Sequence, residues 1–395
     1  MKIGVFYVVS STAAAAIADE GNFPWLKTLG ELTGFELELA QADRLSQYDL
    51  ALEFIGGGGT EGIFLQQLEK LPKPCYLLTT GANNSLAASM EILSYLKQHD
   101  IHGEIIHGSD AYVASRIKAI ARVTAAKERV SKMKVARVGK PSDWLIASEV
   151  DAAECKKKTG IEIIDIPMEE FLAEVKVRTY EDNNYTELIK SKGYDAGEVE
   201  EAFYIYGALR RLADKYQLDG LTVRCFDLLD TVHSTGCSAL AILNSEGIYA
   251  SCEGDVPALF SMILLGELTG ELVFMANPSR IDVENNEIVF AHCTLPIAMP
   301  EDFEIMTHFE SQIGVAFRGR ITEGPVTVFK TDGMIEHFFV SDGELKRNLT
   351  EHNLCRTQIE LKLAESVSYF LTESIGNHHL IVKGHHSEVM REYFK

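Results

Sequence analysis

The sequence predicts an α/β protein with two doubly wound parallel-sheet α/β domains, followed by a C-terminal antiparallel domain like a β-barrel. As far as about residue 270, short apolar runs alternate with amphipathic stretches, which is typical of parallel sheets covered by helices. Beyond that point, period-two runs are separated by turn residues, which favours an antiparallel sheet. With 395 residues, the chain is also longer than one hydrophobic core usually grows. We therefore expect domains at residues 1–133, 134–270 and 271–395.

The first two domains repeat one pattern of strand and helix. In the first domain, strands are predicted at residues 3–9, 50–55, 75–79 and 103–106, and helices at residues 85–98 and 111–132. In the second, which begins near residue 135, strands are predicted at residues 161–166, 220–226 and 248–252, and a helix at residues 198–216. Each domain is thus expected to form its own sheet.

The third domain is predicted to be mostly strand. Its short runs lie at residues 273–276, 288–291, 314–320, 325–330, 334–340 and 380–383. The Asp-Gly pairs that begin at Asp332 and Asp342 predict hairpin turns. One helix, at residues 357–370, is expected to interrupt the strands.

Composition excludes several classes of partner. The formal net charge of −21 would repel phosphate backbones, so we expect no nucleic acid partner. The longest apolar stretch, residues 256–265, is too short to span a bilayer, and no membrane partner is expected. The apolar run at residues 1–9 is followed at once by polar residues 10–12, unlike a signal peptide. Seven cysteines without a CxxC pair suit reduced thiols, so we expect a cytoplasmic protein.

An acidic side chain stands at the end of a predicted strand in the second domain. Glu253 follows the strand at residues 248–252, and ligands bind at the carboxyl ends of strands in open α/β sheets. Asp255 can be explained as a helix cap, because its carboxylate can accept the first free backbone amides. Glu253 has no such structural explanation, which makes it the first candidate for chemistry.

Polar side chains also end strands in the third domain. Asn277 could bind a hard cation through its side-chain carbonyl, although Asn before Pro278 is also a common turn. His292 closes the next strand, where a lone histidine is more often a hydrogen-bonded core residue than a ligand. His378 and His379 are neighbours in a Gly-Asn turn and are harder to explain structurally. Neither histidine site matches a zinc motif by spacing.

Three further sequence patterns bear on function. Period-two spacing would put His308 and Glu310 on one face of a strand, either a solvated face or part of a site. The glycine run at residues 56–59 lacks the features of a phosphate loop or dinucleotide fold, so a strand-to-helix turn is favoured over a nucleotide site. No GxSxG motif or cysteine nucleophile signature supports hydrolysis through a covalent intermediate.

Taken in order, these motifs resemble those of the L-fucose isomerase and L-arabinose isomerase superfamily. The resemblance rests on Glu253-Gly254-Asp255, Ala291-His292-Cys293 and the late Gly-Asn-His-His. It runs along the whole chain and includes Asn84-Ser85-Leu86 and the segment at residues 139–148, which contains Trp144. The chain is shorter than full-length members and is most similar to the compact fucose-isomerase-like branch.

The resemblance implies Mn²⁺, or another divalent cation such as Mg²⁺ or Co²⁺, held between the second and third domains. Glu253 would ligate the metal and move a proton, with His292 and either His378 or His379 as further ligands. It also implies a monosaccharide substrate and a homo-oligomer with sites near subunit interfaces. The candidate sugar contacts are Asn84, Ser85, Trp144, His308 and Glu310.

Asn277 is where the sequence departs from the superfamily pattern, because members that isomerise sugars place a second carboxylate near this point. An amide can coordinate a cation but cannot accept a proton, so Asp282 or a metal-bound hydroxide is the candidate second base. The leading hypothesis is a metal-dependent aldose-ketose isomerase that forms an enediol(ate) from a fucose-like, arabinose-like, deoxy or sulfonated sugar; a hydride shift is a second route. The alternative is a non-catalytic sugar-binding or regulatory protein on the same scaffold.

Overall fold

The computed structural model describes residues 1–9 and 13–395, with side chains from residue 23 onward in the first helix. The polar residues 10–12, used above against a signal peptide, lie outside the described residues. The chain forms two compact units, residues 1–127 and 128–394. The predicted fold class is confirmed, because parallel sheets with intervening helices are followed by a closed antiparallel barrel. The predicted domain limits at residues 133 and 270 stay predictions.

The first unit contains a five-stranded parallel sheet. Its strands are β1 (Lys2–Val8), β2 (Glu36–Leu39), β3 (Leu50–Ile55), β4 (Cys75–Leu78) and β5 (Gly103–Ile106). Its helices are α1 (Ala13–Thr33), α2 (Glu61–Gln67), α3 (Ser85–Gln98) and α4 (Asp110–Val130), with α4 continuing past the end of the unit. The order is β2-β1-β3-β4-β5, and every residue of the central strand β3 is buried, as expected for a parallel sheet covered on both faces.

The second unit begins with a four-stranded parallel sheet. Its strands are β6 (Lys134–Val138), β7 (Glu162–Ile166), β8 (Gly220–Val223) and β9 (Tyr249–Cys252), in the order β7-β6-β8-β9. Its helices are α5 (Ala152–Thr159), α6 (Met168–Val175), α7 (Asn184–Ser191), α8 (Ala196–Tyr216), α9 (Asp227–Thr231), α10 (Cys237–Ser245) and α11 (Val256–Thr269). Helix α11 is buried almost throughout and contacts both the sheet and the barrel that follows, which explains why it is apolar on every face.

The rest of the second unit is mainly antiparallel. Its strands are β10 (Phe274–Asp282), β11 (Glu287–His292), β12 (Asp302–Met306), β13 (Ala316–Arg320), β14 (Gly324–Thr331), β15 (Phe338–Asn348), β16 (Thr357–Leu363) and β17 (His379–Lys383), and its helices are α12 (Tyr369–Thr372) and α13 (Ser387–Tyr393). Six strands close a barrel in the order β10-β11-β16-β15-β14-β17, while β12 and β13 pair separately. Apolar side chains such as Phe274, Phe290 and Leu361 fill the barrel core.

Two predictions in this region are wrong. Residues 357–363 form strand β16 and not a helix, because Ile359, Leu361 and Leu363 alternate into the barrel core at the strand period of two. Asp342 lies inside β15 and not in a turn, where its carboxylate accepts a 2.7 Å hydrogen bond from Thr327. The turn at Asp332 is confirmed between β14 and β15.

In the described part of the chain, no helix combines the length and apolar character that crossing a bilayer requires.

Candidate active site

A strained turn between β9 and α11 positions Glu253. Glu253 and Gly254 have φ angles of 66° and 72°, in the left-handed region. A Cβ at position 254 would lie 2.4 Å from the carbonyl oxygen of Lys140, so only glycine fits there. For a residue such as glutamate this conformation costs about 1–2 kcal/mol. It is held by backbone hydrogen bonds from Ser142 to Glu253 and from Gly254 to Val223, and strain of this kind is common at functional sites.

Three predicted residues converge on one buried cluster. One ligand atom from each of Glu253, His292 and His378 lies within 4.8 Å of the others. Nε2 of His378 is 3.6 Å from Oε1 of Glu253, and the two imidazole rings are 5.5 Å apart between centroids. Glu253 comes from the parallel-sheet part of the unit, whereas both histidines come from the barrel. The fold therefore brings together Glu253 and His378, which are more than a hundred positions apart in the chain.

Neighbouring oxygens fix the orientation of both imidazoles. Nδ1 of His378 lies 2.8 Å from Oδ2 of Asp255, whose other carboxylate oxygen accepts the Ala258 amide and caps α11. The cap predicted for Asp255 is thus confirmed. Nδ1 of His292 lies 2.8 Å from the Thr294 hydroxyl. The contact at Nδ1 of His378 leaves its Nε2 as the ligating atom, an arrangement typical of metal-binding histidines. Nδ1 of His292 also accepts a 3.3 Å hydrogen bond from the Thr294 amide, so the neutral ring carries its proton on Nε2, and a metal bound at Nε2 would displace that proton.

The charges in the cluster are set by burial and by these contacts. Burial lowers the pKa of His292 to about 3, with the charge on His378 adding to the effect, so His292 is neutral. Burial disfavours the charged form of His378, but the hydrogen bond to Asp255 and the nearby carboxylate of Glu253, 3.6 Å from Nε2, raise the pKa of His378 to about 9. Burial also opposes ionisation of Glu253, yet interactions with His378 and Trp144 hold the pKa of Glu253 below its ordinary value. The cluster thus stabilises a positive charge next to an ionised carboxylate.

The residues present fit a divalent cation. Nε2 of His378 and Oδ1 of Asn277 are buried and have no hydrogen-bond partner among the described residues. Asn277 is paired with Ala291 across β10 and β11, one position from His292. One carboxylate, two imidazoles and an amide oxygen give a mixed nitrogen and oxygen donor set, which suits ions such as Mn²⁺.

A small cavity of about 40 Å³ adjoins this cluster. That volume has room for a metal ion or a few water molecules, since one water needs about 10–15 Å³. Its lining includes polar and ionisable groups from the cluster and from the loop after β12, namely Glu253, Asn277, His292, His308 and Glu310. The cavity therefore offers several groups that could hydrogen-bond to a sugar.

Trp144 contacts the catalytic candidate directly. Its indole nitrogen donates a 2.6 Å hydrogen bond to Oε2 of Glu253, while the side chain is 52% exposed. The Trp144 ring also packs edge-on against Phe226, with 4.9 Å between centroids. A half-exposed indole beside a carboxylate can both hold that carboxylate and contact a bound ligand.

His308 and Glu310 line the cavity from a loop. The strand predicted for them is wrong, because Gln312 donates a backbone hydrogen bond to His308 and closes a turn after β12. Nδ1 of His308 is 3.0 Å from the Ser311 hydroxyl. Burial raises the pKa of Glu310, and the negative charge of Glu253 adds to the increase.

Asp282 is not brought to the cavity, which corrects its prediction as second base. It ends β10 at an exposed hairpin, where its carboxylate accepts hydrogen bonds from the backbone and side-chain amides of Asn285. It lies five positions after Asn277 in the strand, a span of about 16 Å. The regular extension of β10 therefore carries the two side chains apart.

The structure distinguishes the two neighbouring histidines. His379 begins β17 and is directed away from the cluster, into an aromatic environment that includes Phe290 and Phe370. Its Nε2 lies 3.2 Å from the Tyr369 hydroxyl, and burial lowers the pKa of His379 to about 3. Adjacent residues of an extended segment face opposite sides, so only His378 can join Glu253 and His292.

The two candidate sugar contacts of the first unit differ in exposure. Ser85 is completely buried, and its hydroxyl oxygen accepts a 2.7 Å hydrogen bond from Thr79. That contact assigns Ser85 a structural role. Asn84 precedes α3 in a left-handed conformation and is exposed.

Sequence reasoning missed Lys330, which stands behind the cluster. This side chain is 1% exposed, and its ammonium group lies 4.0 Å from Oδ2 of Asp255. The sequence did contain an indication, because a lysine within the apolar strand β14 is expected to be buried and buried lysines almost always have a charged partner.

No protein-family model matches the chain. The chain is similar to the sulfoquinovose isomerases of Priestia aryabhattai and Priestia megaterium, each 22% identical over 303 residues, which cover 73% of this chain and 68% of the relative. It is also 23% identical to the sulfoquinovose isomerase of Alkalicoccus urumqiensis over 226 residues, or 53% of this chain and 49% of that protein. Placement in the L-fucose and L-arabinose isomerase superfamily stays a prediction.

Proposed function

We propose that this chain is an aldose-ketose isomerase that acts on a sulfonated sugar, with Glu253 as the group that moves the proton. The similarity to sulfoquinovose isomerases supports both the reaction and the sulfonated class of substrate. The observation that carries the proposal is the convergence of Glu253, His292 and His378 in one buried cluster, of which Glu253 and His292 line the cavity. Pockets that combine convergent polar groups with shifted pKa values are the usual sites of catalysis.

The reaction requires one proton to move between carbon atoms and another between oxygen atoms. Removal of the C2 proton of an open-chain aldose, with a proton added to O1, gives an enediol. Return of a proton to C1, with loss of the proton from O2, then gives the ketose. Glu253 is suited to this transfer because its carboxylate is ionised and is held by Trp144.

Glu310 is suited to the second transfer. Its pKa is raised by burial and by the charge of Glu253, so it can hold a proton and exchange it between O1 and O2. Two carboxyl groups whose surroundings push their pKa values in opposite directions are a common acid and base pair. In this proposal Glu310 takes the role that the sequence suggested for Asp282.

We also propose that Glu253, His292 and His378 hold a divalent cation, Mn²⁺ or a similar ion such as Mg²⁺ or Co²⁺, with the Asn277 amide oxygen beside it. When bound, such a cation supplies Lewis acidity that stabilises negative charge on an oxygen next to the reacting carbons. Asp255 and Thr294 orient the two imidazoles. A homo-oligomer with sites near subunit interfaces remains an expectation from the sequence.

The test is to incubate the chain with Mn²⁺ in D₂O and follow sulfoquinovose, fucose and arabinose by NMR. We expect conversion of the sulfonated sugar to its ketose, with deuterium incorporated at C1. Because general acid-base groups contribute about 10²–10⁴ to rate, Glu253→Gln should lower the rate by that factor. Glu304→Gln, an exposed change on β12, is the matched control and should leave the rate unchanged.

Other outcomes of this experiment are informative. Tight sugar binding without conversion of any sugar would favour the non-catalytic alternative, which Asn277 in place of a carboxylate also suggests. Conversion without deuterium incorporation would contradict proton transfer and support a hydride shift. Conversion of the neutral sugars alone would overturn the sulfonated substrate.

A further inference from the structure

A group of thiols and an imidazole lies in the same cavity as the Glu253 cluster. Cys237 begins α10 and Cys293 follows β11, and their buried sulfur atoms are 3.4 Å apart. With His308 they form a group whose ligand atoms all lie within 4.8 Å of one another. Cys355 packs against this group and also lines the cavity. None of these thiols has a part in the proposed isomerase chemistry.

The spacing of these atoms fits a tetrahedral metal. Zinc-sulfur bonds of about 2.3 Å in a tetrahedron put neighbouring ligand atoms about 3.8 Å apart. For Cys237, Cys293 and His308, the separations of 3.4 Å between the sulfurs and at most 4.8 Å across the group bracket that value. Cys355 lies outside this 4.8 Å group and would have to approach it to ligate the same ion. Three cysteines and one histidine are also a common zinc ligand set.

Contacts with Ser311 and Phe226 orient the imidazole of His308. Nδ1 of His308 lies 3.0 Å from the Ser311 hydroxyl and accepts a 3.4 Å hydrogen bond from the Ser311 amide. Nε2 therefore carries the proton of the neutral ring, and a metal bound at Nε2 would displace that proton. The ring also packs edge-on against Phe226, with 5.7 Å between centroids. Buried cysteines often act simply as small apolar side chains, but apolar packing does not require an oriented imidazole among them.

We propose that Cys237, Cys293 and His308, with Cys355 as the fourth ligand, form a second metal site that takes a thiophilic cation such as Zn²⁺. Sulfur-rich donors select ions of this class, whereas the carboxylate and amide oxygens of the Glu253 cluster suit harder ions. Each ligating thiol releases its proton to solvent, so three thiolates and Zn²⁺ carry a net charge of about −1. The first turn of α10 favours negative charge at Cys237.

Occupation of this site is expected to inhibit the enzyme. His292 and Cys293 are adjacent in the chain, and both metal sites face one cavity. An ion bound by the thiols would take up space that a sugar needs. This consequence rests on the proposed isomerase function, whereas metal binding by the thiols does not.

The site can be tested by titrating the full chain with Co²⁺ after chelator treatment, in the presence of a phosphine reductant. Cobalt bound by thiolates should give a sulfur-to-metal charge-transfer band in the near ultraviolet, and one equivalent of Zn²⁺ should remove it. The band should persist in Glu253→Gln and in Cys155→Ser, whose thiol is buried outside the group. It should be lost in Cys293→Ser. Absence of the band, or its persistence in Cys293→Ser, would overturn the proposal.

A second measurement does not depend on the folding of a variant. X-ray absorption at the zinc edge of the unmodified chain, loaded with one equivalent of Zn²⁺, should show two or three sulfur neighbours at about 2.3 Å. A shell made only of nitrogen and oxygen would place the zinc in the Glu253 cluster and contradict the proposal. Inhibition of sugar conversion by Zn²⁺, relieved in Cys293→Ser, is then the separate test of the functional consequence.

Discussion

Nδ1 of His378 lies 2.8 Å from Oδ2 of Asp255, the residue that also caps α11 through its other carboxylate oxygen. One side chain therefore fixes both the start of a buried helix and the orientation of a candidate metal ligand. Lys330 completes the arrangement, with its ammonium 4.0 Å from the same carboxylate oxygen. The geometry of the cluster is thus tied to the packing of α11 against the barrel.

Replacing Asp255 with asparagine tests this link. Asp255→Asn keeps an oxygen for the Ala258 amide but removes the charge that faces His378 and Lys330. Loss of such a supporting carboxylate typically weakens metal binding by about 10–100-fold, which calorimetric titration with Mn²⁺ would measure. Asp282→Asn, at an exposed hairpin, is the control and should bind normally. Unchanged affinity in Asp255→Asn would show that Asp255 does not orient the ligand.

The two neighbouring histidines should respond differently to the same substitution. His378→Gln removes a ligand and should abolish Mn²⁺ binding and activity. His379→Gln should keep metal affinity but lower the free energy of unfolding by about 2–4 kcal/mol, because it disturbs a packed aromatic core. Metal titration and urea unfolding of both variants give the comparison. Loss of metal binding in His379→Gln alone would reverse the assignment.

The parts of the fold that the sequence predicted correctly are those with a local signal. Strand β3 and helix α8 match their predicted positions because unbroken apolar runs and helical periodicity specify them. Strand β16 was predicted as a helix because its alternating apolar residues specify a strand only when β11 and β15 pair with it. Predictions of element type thus failed where long-range pairing decides the structure.

In the candidate site, too, local sequence patterns identified some residues and the tertiary structure identified the others. Glu253 and His292 could be selected because each polar side chain ends an apolar strand. The choice between His378 and His379 depends on which side of the barrel wall each faces, and one sequence does not specify it. Asp282 and Glu310 are both acidic residues in the third domain, and only the tertiary structure brings Glu310 to the cavity.

Trp144 should tune the acidity of Glu253. Trp144→Phe keeps the aromatic contact with Phe226 but removes the hydrogen bond to the carboxylate. The pKa of Glu253 should then rise, because the lost hydrogen bond favours the ionised carboxylate.

Since Glu253 is proposed to act when ionised, activity is lost as the pH falls through its pKa. The acidic limb of the pH-rate profile of Trp144→Phe should therefore move to higher pH, with the activity on the plateau lowered only a few-fold. An acidic limb at the same pH as in the unmodified protein would show that Trp144 does not affect the acidity of the group that transfers the proton.

Glu53 should make the stability of the first unit depend on pH. This residue of β3 is completely buried; Oε2 accepts a 2.7 Å hydrogen bond from the Tyr76 amide, and Oε1 has no partner among the described residues. Burial raises the pKa of Glu53 from 4.5 to about 8. A pKa raised by folding gives stability that is complete below the unfolded value and is lost as the pH rises to the folded value.

Glu53→Gln keeps the shape of the protonated side chain and removes its titration. The stability of this variant relative to the unmodified protein should increase by about 1.4 kcal/mol per pH unit between pH 5 and 8, and level off above that range. With Trp144 replaced by Phe in both proteins, Trp25 fluorescence reports on the first unit during urea unfolding. Glu36→Gln, an exposed change on β2, is the control. A stability difference that does not change with pH would show that Glu53 is ionised in the folded protein at neutral pH.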